Sequence, residues 1–144
     1  MAGYSGTPLP KKLGIIDGGA VALLDAPPGF AKTLGITARA RLDGSAPLDV
    51  VVAFVTTRAA LIERVAQVRP RLAQNGALWI AWPKRSSGVA TDVTEDVVRE
   101  IALPTGLVDN KVCAIDETWS GLRLVIRREL RTAPRRSSKR SAGR

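Results

Sequence analysis

Apolar positions along the chain fall into two rhythms, unbroken runs and stripes of helical spacing, and their order predicts the architecture. Ala20 to Leu24, Val50 to Val55 and Ala77 to Trp82 are apolar without interruption, as expected of parallel strands covered by helices on both faces. Ile36, Ala38, Ala40 and Leu42 alternate with Thr37, Arg39 and Arg41, which predicts a half-buried strand. Pro28 to Gly35 leaves room for a short helix, and Lys11 to Ile15 for a single helical turn.

Leu61, Val65, Val68 and Leu72 share a helix face behind Thr57, whose hydroxyl suits a cap. Pro70 should kink or restart that helix near its end, and Asn75-Gly76 should close it. Asp92, with Glu95 three residues later, makes an acidic variant of the capping signal for a second helix. Val93, Val97, Val98 and Ile101 stripe that helix, which ends around Pro104 and Gly106. Two strands near Lys111 to Ile115 and Gly121 to Arg127 follow, and the short link between them makes them antiparallel neighbours.

The predicted class is α/β: a Rossmann-like, mostly parallel sheet in three layers, closed by a C-terminal antiparallel hairpin. The three unbroken runs are expected as adjacent, parallel, central strands. One α/β domain spans residues 11–128, after an irregular arm over 1–10 and before a basic tail over 129–144 that is expected to be disordered.

Charge and composition narrow the chemistry. Residues 127–144 hold eight of the 22 basic groups against one acid, Glu129, so +7 of the +9 net charge lies there and the domain is nearly neutral. The tail could grip phosphate backbones without sequence preference. There is no histidine, which removes the commonest general base and metal ligand and leaves any serine or cysteine without an imidazole partner. No metal site and no catalytic residue are predicted. Cys113, the single cysteine, falls in an apolar strand and reads as a small hydrophobe. One cysteine and no apolar leader fit the cytoplasm, and no run approaches the roughly 18 apolar residues of a membrane span.

In open α/β sheets, ligands settle at the carboxyl ends of the strands. Asp25, Pro27, Phe30, Trp82 and Lys84 gather at that edge in the predicted order and are the primary ligand-binding candidates: a carboxylate, a cation and stacking faces for a small polar ligand. The bland alternative makes Trp82 core, Lys84 solvated and the prolines mere shapers of a turn. Asp116, Glu117, Trp119 and Ser120, in the hairpin link, are secondary candidates for a binding edge or acid/base pair, against the simpler reading of a polar turn.

Two resemblances follow from particular blocks. Leu48-Asp49-Val50-Val51-Val52 and Arg71-Leu72-Ala73-Gln74-Asn75-Gly76-Ala77-Leu78-Trp79, with the helix and hairpin behind them, resemble the carboxyl half of a class I S-adenosylmethionine-dependent methyltransferase domain. Leu13 to Val21 is similar to the lead-in to the first strand of those enzymes. The glycine-rich G-x-G-x-G loop that should follow is replaced by Asp25-Ala26-Pro27-Pro28-Gly29-Phe30, and no clear acidic residue ends a second strand at the ribose position. More closely, Tyr4-Ser5-Gly6-Thr7-Pro8-Leu9, Leu24 to Phe30, Trp82-Pro83-Lys84, Thr94 to Arg99, Leu107 to Ala114 and Asp116 to Leu124 resemble a mainly actinobacterial family, domain-of-unknown-function family 3052. The likeness spans residues 4 to 127, and that family has no assigned activity to carry over.

The sequence therefore reads as a small cytoplasmic, non-catalytic binding domain with a degenerate methyltransferase-like fold, no predicted cofactor, and an unknown small molecule or protein as its partner. The alternatives are a methyltransferase using S-adenosylmethionine through an atypical loop, or a nucleic-acid-associated protein working weakly through its tail.

Overall fold

The computed structural model describes residues 7–16, 18–36 and 39–131. The start of the N-terminal arm and the tail from Thr132 lie outside the described residues. In chain order the elements are α1 (Leu9–Lys12), β1 (Val21–Leu24), α2 (Phe30–Leu34), β2 (Leu48–Phe54), α3 (Arg58–Val68), β3 (Leu72–Pro83), α4 (Glu95–Ala102), β4 (Leu107–Ala114) and β5 (Trp119–Ile126). The sheet order is β1-β2-β3-β5-β4. β1, β2 and β3 are parallel, and β5 runs antiparallel between β3 and β4. The fold is the expected α/β sheet with a terminal hairpin, both hairpin strands being longer than the sequence suggested.

Strand periodicity divides the core in two. Val51, Ala53 and Val55 lie with Leu78, Ile80 and Trp82 on the face covered by Leu61, Val65 and Val68 of α3 and by Val98 and Ala102 of α4. Val50, Val52 and Phe54 lie with Trp79 and Ala81 on the other face, under Leu13, Phe30 and Leu34.

β1 departs from expectation. It is parallel to β2 but stands at the edge of the sheet, not in its centre. Its Val21 and Ala22 are nevertheless buried, because the chain leaving α2 wraps round the free edge. Ala20 O points toward β2, accepting from Asp49 N at 2.9 Å, whereas Val21 O points outward and accepts from Ala40 N at 2.7 Å. Ala40 and Leu42 then pack on the α3 side. The alternating segment expected as a strand over Ile36 to Leu42 is thus a strap: residues 39–42 carry no strand, and 37 and 38 lie outside the described residues. Arg71 holds the strap's exit by donating to the carbonyls of Arg41, Leu42 and Ala46. The bond from Ala40 N to Val21 O takes up one of the outward backbone groups that a second chain could otherwise pair with.

Helix starts also differ from the sequence reading. Thr57 caps α3 as expected, its Oγ1 accepting from Ala60 N at 3.0 Å. Asp92 does not cap α4. Its carboxylate accepts from Arg58 N at 2.7 Å, at the start of α3. Thr94, extended and one residue from the helix, caps α4 by accepting from Val97 N at 3.2 Å. Pro70 sits in a 3₁₀ turn, Arg69–Arg71, that continues α3. Asn75-Gly76 does not close a helix but lies inside β3, where the register against β2 shifts. A Cβ at Gly76 would stand 2.7 Å from Leu48 O, so only glycine lets the two backbones approach there.

Past residue 128 the chain stays on the domain. Arg128–Leu130 forms a 3₁₀ turn and Arg131 Nε donates to Ile126 O at 2.9 Å, so the boundary set by composition falls a few residues too early. No helix among the described residues is long and apolar enough to cross a membrane.

Gly76→Ala should cost about 1–3 kcal/mol in urea denaturation, because a backbone carbonyl rather than a side-chain tip must move. A second expectation concerns Arg99, which binds Glu95, Asp96 at 3.1 Å and Asp109 at 2.9 Å. The guanidinium holds the Asp109 carboxyl below its usual value of 3.8. A lowered folded pKa gives stability that is present above the unfolded value and is lost as pH falls through the folded one. Asp109→Asn should therefore be less stable than wild type at pH 7, and the gap should shrink by about pH 3, as urea midpoints at the two pH values will show.

Candidate functional site

The parallel strands bring the ends of β1, β2 and β3 to one edge, and the antiparallel hairpin adds the β4–β5 turn beside them. All nine candidate residues lie along this edge, but they do not converge on one pocket.

The Asp25 turn is closed on itself. Asp25 adopts φ +57°, the one described non-glycine residue with a left-handed backbone. Its carboxylate meets Arg64 Nη2 of α3 at 2.7 Å. Pro27 O accepts from Phe30 N at 3.1 Å, and Gly29, at φ +83°, starts α2. Pro27 and Pro28 have no N–H to offer a ligand. Phe30 is buried edge-to-face on Phe54 at 4.9 Å, and Phe54 meets Trp119 in the same way at 5.0 Å. These three rings fill the α2 side of the edge.

Trp82 faces the opposite way. It follows Leu78 and Ile80 in strand parity and is buried in the core under α3 and α4, so Phe30 and Trp82 are separated by the sheet. Lys84 is half-buried. Its N–H donates to Thr118 O at 2.7 Å, and its carbonyl accepts from Ser87 N and Oγ at 3.0 and 2.7 Å. This ties the loop after β3 to the hairpin turn.

Of the secondary candidates, Asp116 is committed to the turn, its Oδ1 accepting from the N–H groups of Thr118 and Trp119, each at 2.8 Å. Glu117 is exposed. Ser120 stands in the ladder opposite Trp82 and Ala114. Burial pushes the Cys113 thiol up in pKa, with Lys12 and Lys111 opposing more weakly, which suits an unreactive side chain. No metal-binding group of three His, Cys, Asp or Glu occurs among the described residues.

A cleft of about 460 Å³ opens beside Trp82, lined by Pro83, Arg85, Val89, Thr91 and Thr94. Thr91 Oγ1 is already used, donating to Thr56 O at 2.6 Å and accepting from Val93 N at 3.0 Å, and Thr94 is the α4 cap. Arg85 is exposed and remains to meet a ligand, with Trp82 and Val89 as apolar walls. The sequence reading reached Trp82 but named neither Arg85 nor Val89. The available signal was the cation two residues beyond Pro83.

Comparison with known proteins follows from this geometry. The sequence profile of the family described as "Protein of unknown function (DUF3052)" matches residues 41–128. No curated protein matches the sequence. Among solved structures, a putative type 11 methyltransferase from Sulfolobus solfataricus superposes with TM-score 0.56 at 12% identity, covering 83% of this chain and 89% of that one. Fibrillarin from Aeropyrum pernix, solved with natively bound S-adenosyl-L-methionine, gives 0.50 at 17% identity, with 85% and 70% covered. Ribosomal protein L11 methylase from Lactobacillus delbrueckii subsp. bulgaricus gives 0.50 at 13%, covering 76% of this chain; the chain spans 58% of that methylase's length. At these identities the likeness is one of fold.

The Asp25 backbone makes its own prediction. Asp25→Gly trades an exposed ion pair, worth about 0–1 kcal/mol, for relief of a left-handed backbone, so stability should change by less than about 0.5 kcal/mol. Asp25→Val loses the pair and puts a β-branched residue at positive φ, and should cost about 2 kcal/mol in the same denaturation assay.

Proposed function

The chain belongs to the family of proteins of unknown function DUF3052, and we propose that it is a non-catalytic binding domain on a degenerate methyltransferase-like fold. The observation that carries this reading is the turn after β1. Where a nucleotide-binding sheet would offer free N–H groups on a glycine-rich loop, this chain places two prolines and an aspartate already paired with Arg64 at 2.7 Å. Two of the backbone donors that a phosphate or a carboxylate would use there are missing.

The ligand surface in this reading is the cleft at the carboxyl end of β3. Trp82 and Val89 suit an apolar body and Arg85 an anionic or polar group, a small set of polar anchors in an apolar wall. The partner is then a small molecule with one charged end. The methyl-transferring alternative draws on the same fold neighbours, one of which holds S-adenosyl-L-methionine. Tail-mediated contact with nucleic acid rests on residues that lie outside the described ones.

Calorimetric titration separates the first two readings. S-adenosylmethionine should give no binding heat up to about 1 mM, the weak end of specific affinity. A dissociation constant in the micromolar range would make the chain a cofactor-binding methyltransferase and end the non-catalytic reading.

A further inference from the structure

We infer that the sheet face under α1 carries a second ligand site, an anion-binding cleft formed by Lys12, Lys111 and Arg123 with Asn110, whose ligand is a small phosphorylated molecule. The cleft holds about 310 Å³ and also includes Gly14. It lies on the face opposite the Trp82 cleft, and among the described residues no carboxylate lines it.

A β-bulge builds it. In the β4–β5 ladder, Asp109 pairs with Leu124 and Lys111 with Arg123, which leaves Asn110 as an extra residue. Before the bulge, Leu107 lies in the core under α4 and Asp109 binds Arg99 of that helix. After it, Cys113 packs with the opposite core. One inserted residue exchanges the faces of a strand. Without it Lys111 would point to the α4 side. With it Lys111 stands beside Arg123, on the face that Lys12 approaches from the end of α1.

The charges are held together at a cost. Arg123 is half-buried in the ladder next to Trp79. Burial and, secondarily, the cation of Arg131 push its pKa down. The side chains of Lys111 and Arg123 make no hydrogen bond or ion pair with a described residue. A partly desolvated guanidinium with its donors unused gains most from a bidentate oxyanion. Asn110 adds an amide at the rim. Around Gly14, at φ +82°, nothing stands within 4 Å of where a Cβ would be, so the approach is open. The volume, at the lower end for ligand pockets of roughly 300–1,000 Å³, fits a phosphate ester or diphosphate. A nucleic-acid backbone is tracked by an extended groove instead.

The test is calorimetric titration of the full chain with inorganic pyrophosphate, in wild type, Lys111→Gln, Arg123→Gln and a tail variant carrying Arg135→Gln, Arg136→Gln, Lys139→Gln and Arg140→Gln. Wild type and the tail variant should bind alike, and each cleft substitution should weaken binding about tenfold, the fold-change of one charge-assisted hydrogen bond. Lys111 is exposed in its strand, so Lys111→Gln carries the test even if Arg123→Gln fails to fold. Absence of wild-type binding overturns the proposal, as do unchanged affinity in a folded cleft variant and loss of binding in the tail variant. Titration with duplex DNA is the other arm: if the cleft variants lose DNA affinity while pyrophosphate binding is unchanged, the ligand is a macromolecule and the proposal fails.

Discussion

One buried hydrogen bond holds the thin side of this protein in place. The Trp79 indole is fully buried in the middle of β3 and its Nε1 donates to Leu13 O at 3.0 Å, across 66 residues of sequence. An indole N–H in an apolar core without an acceptor would cost a large part of a small domain's stability. Leu13 is therefore fixed on the sheet, and with it α1. The elements on this face are α1 of four residues and α2 of five, too short to persist alone in water. Their order comes from packing on Trp79, Val52 and Phe54. The glycine at Gly121 belongs to the same arrangement, since a Cβ there would stand 3.2 Å from the indole and 2.9 Å from Ile115.

Function inherits this asymmetry. The α3/α4 face is a conventional helix-on-sheet core, and the Trp82 cleft opens at its rim. The opposite face is shaped by a single anchor, and Lys12 and Gly14, the neighbours of Leu13, line the cationic cleft there. The likeness to a putative type 11 methyltransferase, over 83% of this chain, is one of fold. Among the described residues no strand lies beyond β1, and the strap bonds its edge through Ala40.

Val50 to Val55 and Ala77 to Trp82 were legible as strands because they are short unbroken apolar runs rich in β-branched or aromatic residues, as strands covered on both faces require. The Thr57 cap was legible for a similar reason, being local chemistry. The edge position of β1 was not legible, since Val21 and Ala22 are as buried as a central strand and only the long-range bond to Ala40 tells the two apart. The bulge at Asn110 is invisible in the pattern because only Leu107 in β4 is fully buried and the strand carries no alternation to interrupt. For the candidate residues, topology placed them along one edge, but the face of each depends on local geometry. That is why Phe30 and Trp82, placed together by the strand order, stand on opposite sides. Asp92 shows the same limit: its spacing to Glu95 reads as a local cap, while its carboxylate serves Arg58, 34 residues away.

Hydrogen exchange of Trp79→Phe, read residue by residue, tests whether the anchor governs one face. Phenylalanine keeps an aromatic ring but leaves Leu13 O unpaired, a loss of about 1–3 kcal/mol for a buried acceptor. The N–H groups of Leu13, Ile15 and Thr33, bonded on the α1/α2 face, should lose roughly tenfold or more of their protection through local opening, while those of β2 and α3 change far less. Equal loss of protection on both faces, or none at Leu13 and Ile15, would contradict the claim that this face is a separate cover held by Trp79.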